Sequence, residues 1–310
     1  MRARRYIAST LLLAVGAVTL GAQSAHVADS LLQSGALIRA ESLYYAAVRN
    51  RPGDPNARFA LGRYLVSRGA PRVGATLMEE AIRFGGDRPA IERELAPIYL
   101  AVGDFHSLGA LTAAPQAERD RAKYLEAHET RTIAPDSVVS VSFKDAQGSD
   151  IGMISLRING RVVEAPINSR VHGILISDAA ASAMHLHVFP GGTTGVAAVA
   201  DSITIGALVA RNMPVTIGKT ESKDALIGLD ALAKFSPTFD GHGSKLTLRI
   251  GITPPTTITG ERLPTLLTGS EFRVLENGAW VAMTNASIAS MLRDHRWTLD
   301  ARRGQIVVVR

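Results

Sequence analysis

Residues 151–170 read IGMISLRINGRVVEAPINSR. Apolar and polar side chains alternate on both sides of Asn159-Gly160, and an Asn-Gly pair between two alternating segments is a strong signal for a tight β-hairpin. The segment therefore predicts two antiparallel strands, the second of which ends at the polar triplet Asn168-Ser169-Arg170. Residues 138–143 predict a further strand before this hairpin.

Strand signals continue downstream of the triplet. Residues 173–176 predict a strand, and Ser177-Asp178 is a typical start for a short helix. Residues 200–206 and 209–217 predict another strand pair. The apolar segment Leu226-Ile227-Gly228 follows, and residues 245–250 predict the last strand of a closing hairpin. Residues 136–252 are thus predicted to form a mainly β domain.

The order of these segments resembles one lobe of the retropepsin-like (gag-type) aspartic proteases. On this resemblance Asn168-Ser169-Arg170 stands where that family carries its catalytic Asp-Thr/Ser-Gly, and Leu226-Ile227-Gly228 stands at its hydrophobic-hydrophobic-Gly signature. Gly192 and Thr193, in the Gly-rich segment 191–195, fall at the tip of a flap. The resemblance implies that these residues line a peptide-binding cleft. In the alternative, Asn168-Ser169 is a turn dipeptide of an unrelated β-domain.

The triplet lacks the groups that aspartic protease chemistry requires. Those enzymes bring together two carboxyls that share one proton, so that one of them activates a water molecule. Asn168 is a neutral amide that cannot act as this base. Arg170 adds bulk and a permanent positive charge in place of the family's Gly, and only Ser169 matches the pattern. The sequence therefore predicts the scaffold without the hydrolytic dyad, and no catalytic residue is assigned.

The N-terminal part repeats with a period of 34 residues. At that shift Gly35, Gly69 and Gly103 superpose, and the same holds for Leu31, Leu65 and Tyr99. The segment resembles two tetratricopeptide repeats and a decaying third, which predicts stacked helical hairpins over residues 26–115 with each Gly ending a first helix. A peptide groove is the usual function of such arrays, and a short spacer or dimerisation arm is the alternative. Residues 116–135 predict a connector helix.

The first residues predict export. Arg2, Arg4 and Arg5 precede an apolar run over residues 7–20 and small residues at 22–25, the layout of a cleaved secretory signal. That run is too short to predict a membrane span, although a retained N-terminal anchor is the alternative. Cysteine is absent, which excludes disulfides and thiolate metal sites. Without the three signal arginines the 34 Lys and Arg fall to 31 against 28 Asp and Glu, and this balance does not favour nucleic acid as a partner.

Residues 253–310 predict a linker and a β-rich C-terminal extension. A hairpin is centred on Asn277-Gly278, and residues 287–293 favour a helix. Residues 297–309 echo residues 237–249, with Thr298 and Asp300 at the positions of Thr238 and Asp240. The echo suggests a shrunken second lobe, in which Thr284-Asn285-Ala286 is a distant counterpart of Asp-Thr-Gly. The alternative is that any hairpin ending in a Val run looks similar.

Other candidate sites carry weaker signals. His185 and His187 would lie on one face of a strand near Asp178, but no further motif completes a metal shell, so surface histidines are the preferred interpretation. Ser169 and Ser177 are outside any Gly-x-Ser-x-Gly elbow, which argues against a serine hydrolase. Neither a metal nor a cofactor is predicted. Asp230 and Asp240 are interpreted as structural, at a helix start and a hairpin.

The sequence therefore predicts an α+β multidomain protein. Its parts are N-terminal tetratricopeptide-like helical hairpins, an all-β retropepsin-like domain of the acid protease type and a small β-rich extension. The predicted function is non-catalytic binding of extended peptide or protein partners by an exported, bacterial-type protein, periplasmic or secreted, with a homodimer left open. The alternatives are an active aspartic endopeptidase, whose acid comes from a non-standard residue or a partner chain, and an envelope assembly protein.

Overall fold

The computed structural model of the chain describes residues 25–144, 151–192, 195–251, 258–268 and 271–309. In this part of the chain, helices precede a β-rich region that contains a barrel, which agrees with the predicted α+β class. Within the same residues, no helix has the length and apolar character needed to cross a membrane. The predicted signal segment lies outside them except for its last residue.

Three helix pairs and a seventh helix form the N-terminal layer: α1 (25–33), α2 (Leu37–Asn50), α3 (Pro55–Ser67), α4 (Pro71–Arg83), α5 (Arg88–Val102), α6 (Phe105–Ala110) and α7 (Gln116–Ala127). Gly35, Gly69 and Gly103 end the first helix of each pair with φ of 79°, 83° and 73°. In each pair the next N–H returns to a carbonyl five residues earlier, on Leu31, Leu65 and Tyr99. These equivalent helix ends confirm the 34-residue register.

Tyrosine hydroxyls link helices within this layer. Tyr44 donates to Asp29, Tyr64 donates to Glu41 at 3.0 Å, and Tyr99 donates to Glu79. Burial, followed by the Glu41 carboxylate, raises the pKa of Tyr64 to about 12. The phenol therefore stays protonated and keeps donating at any physiological pH.

The connector after the repeats is only partly helical. Helix α7 ends at Ala127, and Arg131–Ile133 forms strand β1 instead of continuing the helix predicted over 116–135. Thr132 and Ile133 are β-branched, and strand β1 pairs antiparallel with residues 209–211 of the barrel. Tertiary pairing thus overrides the helix-favouring composition of the connector.

A closed barrel occupies the middle of the chain. Its strands are β3 (Gly152–Ile158), β4 (Arg161–Asn168), β5 (Ile174–Ser177), β7 (Val196–Ile205), β8 (Leu208–Gly218) and β9 (Ala225–Gly228), with β1 and β6 (His187–Phe189) attached at its margins. The order is β8-β5-β9-β4-β3-β7, and β7 pairs with β8 to close the ring. Two short helices, α8 (Asp178–Ala181) and α9 (Leu229–Ala233), follow β5 and β9.

A second sheet combines β2, which precedes the barrel strands in the chain, with strands that follow them. It contains β2 (Val138–Ser142), β10 (Thr238–Asp240), β11 (Lys245–Arg249), β12 (Glu261–Thr268), β13 (Glu271–Glu276), β14 (Ala279–Ala282), β15 (Arg296–Asp300) and β16 (Gln305–Val309), with helix α10 (Asn285–Asp294) before β15. Their order is β14-β13-β12-β16-β15-β10-β11-β2. Phe239 stacks on Trp297 at 4.5 Å, and both side chains are fully buried. The extension therefore shares one core with the preceding domain.

The six strands β2-β11-β10-β15-β16-β12 of this sheet have a local two-fold arrangement. At its centre β10 pairs antiparallel with β15, Thr238 is opposite Thr298, and their hydroxyl oxygens are 2.7 Å apart. Moving outward, β10 pairs with β11 and β15 pairs with β16 at the same offset, since Thr238 is opposite Thr247 and Thr298 is opposite Val307. Strands β2 and β12 then flank the two hairpins. The echo between residues 237–249 and 297–309 thus corresponds to equivalent strands.

The helical layer packs against the β-region. Arg68 donates through Nη1 to the carbonyls of Thr265 at 2.6 Å and Gly304 at 2.9 Å. The buried guanidinium of Arg121, on α7, donates to the carbonyl of Val215 in β8 at 3.0 Å. The helices are therefore anchored both to the barrel and to the C-terminal extension.

Candidate functional site

Strand β9 brings the two predicted loop segments together. It lies between β4 and β5, the strands that flank the triplet, with Ile167 opposite Ile227 and Asn168 opposite Gly228 in a parallel register. The predicted proximity of Asn168-Ser169-Arg170 and Leu226-Ile227-Gly228 is thereby confirmed. The triplet ends strand β4 at one end of the barrel.

Gly228 is the point of closest packing at this junction. Its N–H donates to the carbonyl of Gly173 at 2.7 Å. A Cβ at Gly228 would lie 2.3 Å from the carbonyl oxygen of Val171 and 2.2 Å from a carboxylate oxygen of Asp230. Only glycine fits without displacing the chain segment that leaves the triplet.

Asp230, at the start of α9, makes hydrogen bonds to the residues that follow the triplet. Its carboxylate accepts the N–H of Gly173 at 3.0 Å and that of Ala231 at 2.8 Å, and it pairs with Nδ1 of His172 at 3.2 Å. This bond raises the pKa of the His172 imidazole above its usual value. The helix-start role expected for Asp230 fits these contacts. Sequence reasoning missed His172, because its partner is 58 residues away in the chain.

The triplet is fixed by hydrogen bonds to itself and to a second loop. Oδ1 of Asn168 accepts the N–H of Arg170 at 2.9 Å, which closes an Asx turn. The N–H and the hydroxyl of Ser169 both donate to Oδ1 of Asn285, at 2.9 and 2.8 Å. Asn285 is the first residue of α10, and Thr284 caps that helix by accepting the N–H of Ser287. The segment 284–286 is thus in direct contact with the triplet.

The two contacting loops occupy comparable places in the two halves of the β-region. Each follows an Asn-Gly hairpin: Asn159-Gly160 joins β3 to β4, and Asn277-Gly278 joins β13 to β14, all four with positive φ. Later in the chain, β10 and β11 follow the first loop, and β15 and β16 follow the second. These two strand pairs occupy equivalent places in the two-fold sheet. Strands β5 to β9 have no counterpart among the described residues of the extension.

Neither loop carries a carboxyl. Their side chains are the amides of Asn168 and Asn285, the hydroxyls of Ser169 and Thr284, the Ala286 methyl and the Arg170 guanidinium. Amides and hydroxyls donate and accept hydrogen bonds but do not take a proton from water near neutral pH. The arrangement can hold polar backbone groups, and it lacks the paired acid that activates water in aspartic proteases.

The segment predicted as a flap is the hairpin between β6 and β7. Phe189 is opposite Ala197, and the connecting residues include Gly192, whereas Thr193 lies outside the described residues. Tyr124 of α7 packs against His187 at 4.8 Å and against Phe189 at 5.7 Å. The hairpin therefore rests on the last helix of the helical layer.

The histidines near this hairpin do not share a strand face, which corrects the sequence expectation. His185 has φ of 48° and precedes β6, because the chain turns there after a 3-10 helix. His187 begins β6 and pairs through Nε2 with Asp201 at 2.9 Å. Asp178 is the first residue of α8. In the described ranges no group of three or more His, Asp or Glu side chains could hold a metal ion.

A separate groove of about 570 Å³ lies between the helical layer and the barrel. Phe105, His106 and Glu126 line it on the helical side, and Pro214 lines it on the barrel side. No residue of the triplet contributes to its walls. The groove and the paired loops are therefore different features of the molecule.

Comparison with known proteins gives weak similarity to solved structures. No model of a known protein family matches the chain, and no curated protein matches it. A retropepsin-like aspartic protease from Rickettsia conorii, known from a crystal structure, is similar to 39% of this chain and to 94% of its own chain. The sequence identity is 16% and the TM-score is 0.29.

Proposed function

We propose that this chain is an exported, non-catalytic protein of the retropepsin-like type that binds extended peptide segments beside the paired loops. In this proposal residues 136–252 form the retropepsin-like domain. Residues 261–309 are a shortened second half that supplies the facing loop within the same chain. The helical layer is a tetratricopeptide-like array that supports both halves.

The observation that carries the proposal is the double hydrogen bond from Ser169 to Asn285. It joins two loops that end comparable hairpins, so the centre of the β-region is built from both halves. The same loops carry amides and hydroxyls where a hydrolase would need acids. Such groups favour binding of a peptide backbone over its cleavage.

Peptide binding is tested with the full-length exported form and a fluorescently labelled pool of random peptides. Asn168→Trp should fill the space beside the loops and abolish binding, since Asn168 is half-buried next to Gly228. His242→Trp is the matched control, because His242 is exposed in the turn between β10 and β11. Circular dichroism checks that both variants fold.

The alternatives give different results in this experiment. Retained binding by Asn168→Trp would place the peptide elsewhere, for example in the helical layer. No binding by the wild type would favour an assembly role in the envelope. Cleavage of the pool would favour the active endopeptidase, with an acid supplied by another residue or chain.

A further inference from the structure

Arg170 is the one fully charged side chain of the two loops. Its side chain is exposed, and it forms no ion pair with any residue that the structure describes. Its backbone is nevertheless fixed, because its N–H donates to Asn168. A hydrogen-bonded turn thus presents a guanidinium that has no ion-pair partner among the described residues, beside the junction of the two halves.

The carboxylate that contacts the segment following the triplet is already engaged. Asp230 accepts the backbone N–H groups of Gly173 and Ala231 and pairs with His172. The residues facing the triplet, Thr284 and Asn285, are neutral. Among the described residues the Arg170 guanidinium therefore has no anionic partner, and an anionic ligand in this place could pair with it.

We propose that Arg170 recognises a carboxylate of the bound peptide, so that the site selects acidic segments. A guanidinium presents paired N–H donors that match the two oxygens of a carboxylate, and these charge-assisted bonds are stronger than those to a neutral acceptor. The carboxylate is either an Asp or Glu side chain or the C-terminus of the peptide. This inference rests on the proposed peptide-binding function of the same loops.

The experiment uses three labelled peptide pools that differ only at a fixed central position, occupied by Asp, Asn or Lys, each with an amidated C-terminus. A fourth pool has a central Asn and a free C-terminus. The full-length exported form should bind the Asp pool or the free C-terminus pool roughly ten times more tightly than the amidated Asn pool. The preferred pool identifies the source of the carboxylate.

Arg170→Gln should remove this preference, so that the variant binds the Asp pool, the free C-terminus pool and the amidated Asn pool with similar affinity. Arg211→Gln is the matched control, since Arg211 is exposed on β8 and outside both loops. Equal binding of all pools by the wild type, or a preference that survives Arg170→Gln, would overturn the inference and leave peptide binding intact. Failure to bind any pool would overturn both the inference and the proposed function.

Discussion

At the scale of single residues, the contact between Ser169 and Asn285 is the bond that joins the two loops. One amide oxygen accepts both a backbone N–H and a hydroxyl, so removal of that oxygen leaves two donors without their acceptor. Both residues are partly buried, which limits how well water can replace the lost bonds. The two side chains should therefore contribute unequally to stability.

Asn285→Ala should lower the free energy of unfolding by about 1–3 kcal/mol, because two partly buried donors lose their partner. Ser169→Ala should lower it by about 1 kcal/mol, because the backbone N–H of residue 169 keeps its acceptor. Chemical denaturation of both variants measures the difference. Equal losses would show that the backbone bond contributes little.

The sequence allowed part of this site to be predicted. The place of Asn168 at a strand end followed from the alternating pattern around Asn159-Gly160, which is a local signal. Arg170 and Gly228 followed from comparison with a family pattern. The bond to Asn285 joins residues 116 positions apart. No local propensity reports such a pairing, so only the distant likeness of residues 284–286 to Asp-Thr-Gly hinted at it.

At the scale of elements, two repeat glycines combine a helix end with a docking contact. A Cβ at Gly69 would lie 1.8 Å from the carbonyl oxygen of Ala301, and one at Gly35 would lie 2.5 Å from that of Gly278. Gly103 has the same left-handed conformation, but a Cβ there would meet nothing within 4 Å. All three glycines have the left-handed backbone conformation, but only Gly35 and Gly69 are also closely packed. Substitutions at these positions can therefore distinguish the cost of backbone strain from the cost of lost packing.

Gly103→Ala should destabilise the chain by about 1–2 kcal/mol through its positive φ alone. Gly69→Ala should destabilise it by a further 1–3 kcal/mol or so, because the added methyl would push α3 away from the C-terminal extension. Thermal unfolding of the two variants compares these effects. Similar shifts for both would mean that the helical layer adjusts without loss of contact.

The elements themselves were largely predictable, whereas their docking was not. The 34-residue register located the helix ends, since glycine is favoured where a helix must end in a left-handed residue. The Asn-Gly pairs located two hairpins for the same conformational reason. Strand β1 was not predicted, because it has only three residues, too few for a clear alternating pattern, and it forms by pairing with β8 of the barrel.

At the scale of the whole molecule, the β-region is two unequal halves that share one sheet and one core. Strands β10 and β15 pair at its centre, and Phe239 from one half stacks on Trp297 from the other. The second half has one helix where the first has β5 to β9, so it contributes a loop and the five sheet strands β12 to β16. This arrangement places two loops together without requiring a second chain.

We predict that these paired loops do not cleave peptides. The most direct measurement is incubation of the wild-type protein with a random peptide pool across the acidic pH range, with and without pepstatin, followed by mass spectrometry of the products. We predict an intact pool at every pH, because neither loop offers a carboxylate to activate water. Pepstatin-sensitive cleavage by the wild type, abolished by substitution of an Asp such as Asp178, Asp230 or Asp300, would contradict the claim.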